Sequence, residues 1–168
     1  MIIRPEIEAD IAAIRNVTIE AFRDHPHSDQ TEHLIIERLR AADALVLSLV
    51  AEDEDAKIVG HIAFSQVALT SGAAGWFGLG PVAVARERQG QGIGGALIRQ
   101  GLVRLADSKA AGCVVMGDPL FYCKFGFVSD PALVLADCAP QYFLALALHG
   151  PAASGIVAYH DAFHGEAK

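Results

Sequence analysis

Four glycines crowd the start of one helix. The stretch Pro81 to Ala106, PVAVARERQGQGIGGALIRQGLVRLA, opens as an apolar strand and passes through a charged loop. It reaches Gly90, Gly92, Gly94 and Gly95 where a helical pattern begins. Glycine is a poor helix former, so four at one helix start cost stability. Something must therefore come close to the backbone there. The first turn of a helix has free N–H groups and a partial positive charge, which suit an anion. A chain built around strand, glycine loop and helix in succession belongs among α/β architectures.

Hydrophobic spacing fills in the rest. Met1 to Arg4 reads as a short strand. Ile7, Ile11, Ile14, Thr18, Ala21 and Phe22 recur at helical intervals and predict a first helix over 7–23. The loop DHPHSDQ follows, and Asp29 is placed to cap a second helix carrying Leu34, Ile35 and Leu39. ALVLSLVAEDEDAKIVGHIAFSQVAL reads as two strands joined by an acidic turn around Asp53–Ala56. WFGLGPVAVA is a fourth strand, interrupted by Gly78, Gly80 and Pro81. Leu97, Ile98, Gly101, Leu102 and Leu105 make the buried stripe of a third helix. GCVVMG is apolar throughout, as expected of a strand in mid-sheet. PLFYCKF is a short helical segment, QYFLALALHG a late strand, and GIVAYHDAFHG a source of one more. No repeat or linker divides the chain, so the expectation is one α/β domain over 1–168 with a mixed sheet.

The 168 residues are 52% hydrophobic, enough for a real core and too many for a disordered chain. A net charge of -7 disfavours a nucleic-acid binder, which needs a basic face, and is compatible with a cationic amine substrate. No apolar run approaches the roughly 20 residues of a membrane helix, and the start MIIRPEIEAD turns acidic too soon for a secretory signal. Cys113, Cys123 and Cys138 are well separated, which fits a reduced, cytoplasmic compartment. His25 and His27 form the only close histidine pair and lack further ligands at metal spacing, so no metal is expected.

GQGIGG matches G-x-G-x-x-G through Gly90, Gly92 and Gly95, but in a dinucleotide fold those glycines follow the first strand almost at once. Here ARERQ intervenes after Val84 and the motif lies deep in the chain. A P-loop fails because no Gly-Lys-Ser/Thr follows. Gln89-Gly90-Gln91-Gly92-Ile93-Gly94 reads instead as Q-x-x-G-x-G after a VAV strand. That combination resembles the acyl-CoA loop of the GNAT superfamily of N-acetyltransferases. GDPLFYCKFGF, with Tyr122 four residues before Gly126-Phe127, resembles the family's second signature. IIRPEIEADIAAI, VGHIAFSQV and VAYHDAF are similar to its bacterial YhbS-like branch, so the likeness covers nearly the whole chain.

The resemblance implies a GNAT fold: a mixed, mostly antiparallel sheet of six or seven strands flanked by helices, splayed between the fourth and fifth strands. It implies acetyl-CoA as cosubstrate. The pantetheine arm would pair with Val82, Ala83 and Val84, and the pyrophosphate would rest on Gln89, Gly90, Gln91, Gly92, Ile93, Gly94 and Gly95. A backbone N–H near Val82 would polarise the thioester carbonyl. An amine would attack directly, and Tyr122 would protonate the departing thiolate. The base is not identified. The strand WFGLGPVAV contains no acid, and Glu20, Asp24, His61 and Asp118 are candidates elsewhere. Gly117-Asp118-Pro119 stands where the family often carries asparagine. Cys123 raises a covalent route, although no His or Asp adjoins it in sequence. Trp76, Phe77 and the Asp24–Thr31 loop are candidates to line the acceptor pocket. A small-molecule or peptide amine is the expected partner, and a homodimer is compatible. The alternative is a module that holds acyl-CoA without turnover.

Overall fold

The computed structural model describes residues 1–165. Strand β1 (Ile2–Pro5) lies antiparallel on β2 (Leu45–Glu52), and helices α1 (Ile11–Phe22) and α2 (Glu32–Ala41) connect them. The first helix thus begins later than the spacing predicted. Asp10 is the reason: its carboxylate accepts the Ile7 N–H at 2.9 Å and is gripped by Arg4 at 2.7 Å. Glu8–Asp10 consequently forms a 3-10 turn, and Ile7 stays outside the helix, exposed. The second helix is also capped differently. Thr31 takes the N-cap position, while Asp29 accepts bonds from the Thr31 N–H at 3.1 Å and hydroxyl at 2.5 Å.

β2 and β3 (Ile58–Gln66) make the expected hairpin. Asp53 organises its acidic turn, accepting the N–H groups of Asp55 and Lys57, each at 3.0 Å. A two-residue strand β4 (Ala68–Leu69) follows, so the fourth and fifth strands of the sequence reading are β5 (Trp76–Val84) and β6 (Gly112–Met116). β5 runs through Gly78, Gly80 and Pro81 without ending. The break appears as a bulge, where the register with β3 slips between Ile62 and Phe64. Helix α3 (Ile93–Asp107) joins β5 to β6, and the short α4 (Pro119–Tyr122) follows β6. Then come β7 (Val128–Ser129), β8 (Leu133–Leu135), β9 (Phe143–Ala147) and β10 (Gly155–Ala158). Gln141 and Tyr142, read as part of the late strand, belong to a 3-10 turn before β9.

The main sheet has seven strands in the order β1-β2-β3-β5-β6-β9-β7, all antiparallel except the β5–β6 pair. A second sheet, β4-β10-β8, was not anticipated, because two- and three-residue strands leave no periodic signal. The faces follow from alternation along β3. Gly60 and Phe64 face α3: a Cβ on Gly60 would meet Leu97 and Ile93, and one on Gly101 would meet Phe64. Residues between them, such as His61, face the other way. There the Arg40 fork on α2 holds Glu6, with both N–O distances 3.0 Å, and Glu6 accepts from Ser48. The larger cluster spans both faces: Phe64, Leu97, Ile98, Cys113 and Phe127 pack on the α3 side, and Ile14, Val17 and Ile36 come from α1 and α2. A second, including Trp76, Val114, Phe143 and Val157, lies under the small sheet. Among the described residues no helix is long and apolar enough to cross a membrane.

Candidate active site

β5 and β6 stay together only briefly. Trp76, Phe77 and Gly78 pair with Gly112, Cys113 and Val114, and the ladder stops there. β5 continues to Val84 against β3 alone, with Val82, Ala83 and Val84 opposite Ile62, His61 and Gly60. Its other edge therefore carries backbone groups that no strand satisfies. An extended amide-bearing chain can fill such an edge, which is otherwise a liability for a protein.

The glycine loop closes the mouth of this gap. Gln89 Nε2 donates to the Val84 carbonyl at 3.1 Å, tying the loop to the end of β5. Gly90 and Gly92 have φ of +77° and +83°, in the left-handed region where glycine is favoured. A Cβ at either position would meet nothing within 4 Å, so space lies open in front of both. Gly92 is the N-cap of α3, no side chain caps the helix, and the first bond runs from the Ala96 N–H to the Gly92 carbonyl at 3.0 Å. The N–H groups of the first turn are left facing that space. Ile93 is buried and pins the turn to the core. Arg88 is engaged with Asp53 at 3.1 Å and Arg86 with Asp24 at 2.7 Å, but Arg99 lies over the Phe125 ring with Nη1 3.4 Å from where a Gly95 Cβ would stand. An anion here would meet the backbone dipoles of the helix start, with the Arg99 guanidinium bordering the loop at Gly95. The free edge, the open glycines and the uncapped helix fit acetyl-CoA, with its amide-bearing arm and its pyrophosphate.

Tyr122 stands on the α3 side of the sheet. Asp118 caps α4 by accepting the Leu120 N–H at 2.9 Å. The Tyr122 ring meets Phe127 edge-on, with ring centres 5.9 Å apart. Gly117 makes room for it, since a Cβ there would come within 2.4 Å of Tyr122 Cε2. The Tyr-x-x-x-Gly-Phe spacing thus has a packing reason. Gly126 turns the chain at φ +95°, and the buried Phe127 supports the ring. Burial, and secondarily the buried Cys113, push the Tyr122 phenol up to about 12. It therefore remains protonated at neutral pH and is a donor.

The candidate bases are scattered. Glu20 is exposed on α1. Asp24 is paired with Arg86, and Asp118 is occupied as a helix cap. His61 is fully buried and hydrogen-bonded through Nε2 to Ser48 Oγ at 2.7 Å. Burial holds its pKa below the ordinary value. Cys123 is exposed with its thiol toward the Leu120 carbonyl, and Lys124 lies over the Phe121 ring, 4.1 Å from its centre. Trp76, a candidate for the acceptor pocket, is core: it is 2% exposed and packs on Gly112. Phe77 is half-buried against the main core. Among the described residues no three His, Cys, Asp or Glu gather as metal ligands would.

Sequence reasoning missed two polar groups at the point where the strands part. Ser65 Oγ and Tyr159 Oη are buried without a hydrogen-bond partner. Neither belongs to a spacing that a sequence reveals.

A parted parallel strand pair with a glycine-started helix at its mouth is the architecture of an acyltransferase. A family model described as an acetyltransferase (GNAT) domain matches residues 45–129. The chain belongs to the GNAT family of N-acetyltransferases. It is 31% identical to the uncharacterized N-acetyltransferase YhbS of Escherichia coli K12, over 98% of this chain and 99% of that protein. Among solved structures, a GNAT family acetyltransferase from Brucella melitensis in complex with acetyl-CoA is 48% identical with a TM-score of 0.86. That match covers 96% of this chain and 97% of the other. The E. coli YhbS structure in complex with CoA gives a TM-score of 0.87 at 30% identity, covering 98% and 92%.

Proposed function

We propose that this chain, acting as one domain in the cytoplasm, moves an acetyl group from acetyl-CoA to an amine by direct attack. The observation that carries the reading is the free edge of β5 beyond Gly78, ending at a helix start whose N–H groups face open space. Val82, Ala83 and Val84 offer backbone partners to the pantetheine amides. Residues 89–95 offer N–H groups and the helix dipole to the pyrophosphate. The acceptor nitrogen attacks the thioester carbon, the C–S bond breaks, and the Tyr122 hydroxyl gives its proton to the departing sulfur. Tyr122 suits this role because its phenol is protonated at neutral pH and Phe127 and Gly117 fix its ring.

Thermal shift with acetyl-CoA, CoA and NAD, followed by turnover over an amine panel, tests the reading. A ligand at a hundredfold excess over its dissociation constant stabilises by about 2.7 kcal/mol. For a chain of this size that raises the melting temperature by roughly 5–10 °C. Acetyl-CoA and CoA are expected to give it and NAD is not. Equal shifts from NAD would contradict the assignment. Binding without transfer to any amine would favour a non-catalytic acyl-CoA module.

A further inference from the structure

Ser65 and Tyr159 come from distant parts of the chain and meet at Gly78. Ser65 sits directly opposite Gly78 in the β3–β5 ladder, so both side-chain positions share one face. The Tyr159 ring lies on that same face: a Cβ on Gly78 would stand 2.4 Å from Tyr159 Cε1 and 3.2 Å from Val67. Gly78 is also the last residue of β5 that pairs with β6. Both hydroxyls are buried and neither bonds to any described residue. Ser65 is 0% exposed, and the Tyr159 ring packs in the cluster under the small sheet. Tyr122 packs on the other face, with Phe125 and Phe127, where Phe125 stands against Gly95 and Arg99 of α3. Two unsatisfied hydroxyls thus stand behind the apex of the gap, on the face covered by α2 and the chain end, where the Arg38 side chain meets the Ala162 carbonyl.

Buried polar groups in folded proteins are nearly always satisfied, so a pair of orphans at one point asks for a ligand. An attacking amine must aim its lone pair at the thioester, which leaves its N–H groups in need of acceptors. We propose that Tyr159 Oη and Ser65 Oγ form the polar floor of the acceptor subsite. They accept the N–H groups of the reacting amine and orient its lone pair toward the β5–β6 gap. The proposal rests on the acetyl-CoA reading above. It adds the residues that recognise the nucleophile.

Two thioether analogues of acetyl-CoA test it without knowledge of the acceptor. Carbamoylmethyl-CoA extends an NH2 group past the thioester position toward the proposed floor, and acetonyl-CoA extends an isosteric methyl group there. Titration calorimetry on the parent chain is expected to show about five- to tenfold preference for the carbamoylmethyl analogue, the size of one net hydrogen bond. Tyr159→Phe keeps the ring on Gly78, and Ser65→Ala keeps the small strand residue. Each is expected to reduce that preference toward unity, leave acetonyl-CoA affinity within about twofold and melt no lower than the parent, since a hydroxyl without a partner is removed. A preference that persists in both variants, or is missing in the parent, overturns the proposal. Melting temperature and both affinities falling together would assign the pair to packing and overturn it too. Failure of both analogues to bind the parent would remove the acetyl-CoA reading itself, and this proposal with it.

Discussion

Gly92 is where conformation and charge can be separated. It is the N-cap of α3 with φ +83° and ψ 4°, and a Cβ there would meet no atom within 4 Å. Gly92→Glu therefore costs stability only through backbone strain, about 1–2 kcal/mol for an L-residue in this region. For a chain of this length that lowers the melting temperature by roughly 2–8 °C, without unfolding at room temperature. The effect on binding is larger. A carboxylate about 5 Å from each of two phosphate charges, at an effective dielectric of about 40, costs about 3 kcal/mol in total. CoA affinity should then fall on the order of a hundredfold. Part of the loss should return at high salt, where exposed charges are screened. Gly92→Asn is the control, because asparagine tolerates left-handed backbone and adds no charge. Calorimetric titration with CoA at low and high salt checks both effects. Affinity within threefold of the parent, in a folded Gly92→Glu protein, would place the pyrophosphate elsewhere and refute the argument.

Tyr122→Phe removes only the hydroxyl, so acetyl-CoA affinity should hold while turnover falls at least about tenfold, the low end of what general acids contribute; unchanged turnover would reduce Tyr122 to packing. Gly101→Ala puts a Cβ 2.3 Å from Phe64 Cε2. Overpacking of about 1–3 kcal/mol should outweigh a helix-propensity gain of about 1 kcal/mol, with Phe64→Leu restoring part of the loss. A higher melting temperature for the alanine variant would show that the interface yields. Burial raises the Glu6 carboxyl, but the nearby His61, the Arg40 fork and the Ser48 hydroxyl outweigh it and bring it from 4.5 to about 2. Its contribution is full above the unfolded value and is lost as pH falls toward the folded one. Denaturation midpoints should therefore drop more steeply between about pH 5 and 3 in the parent than in Glu6→Gln. Parallel profiles would count against that role.

The local geometry of the candidate site was largely legible in linear order because it depends on neighbouring backbone. A glycine loop between a strand and a helix needs only neighbouring residues, so Gln89 to Gly95 could be read directly. The Tyr122, Gly126 and Phe127 signature is equally local: a turn at Gly126 sets the ring against the side chain that buries it. The apolar GCVVM run implied a central strand, and β6 lies between β5 and β9. Local rules erred where a side chain competed for the backbone, as Asp10 did at the start of α1 and Asp29, which takes the Thr31 N–H, just before α2. The small sheet and the acceptor face were settled only by tertiary structure. β4 and β8 are too short to show a period, and they form only because β10 returns to lie between them. Ser65 and Tyr159 meet at Gly78 for the same reason: one arrives by strand register and the other by the return of the chain end. No spacing in the sequence encodes that meeting, because pairing across a sheet is free of sequence distance.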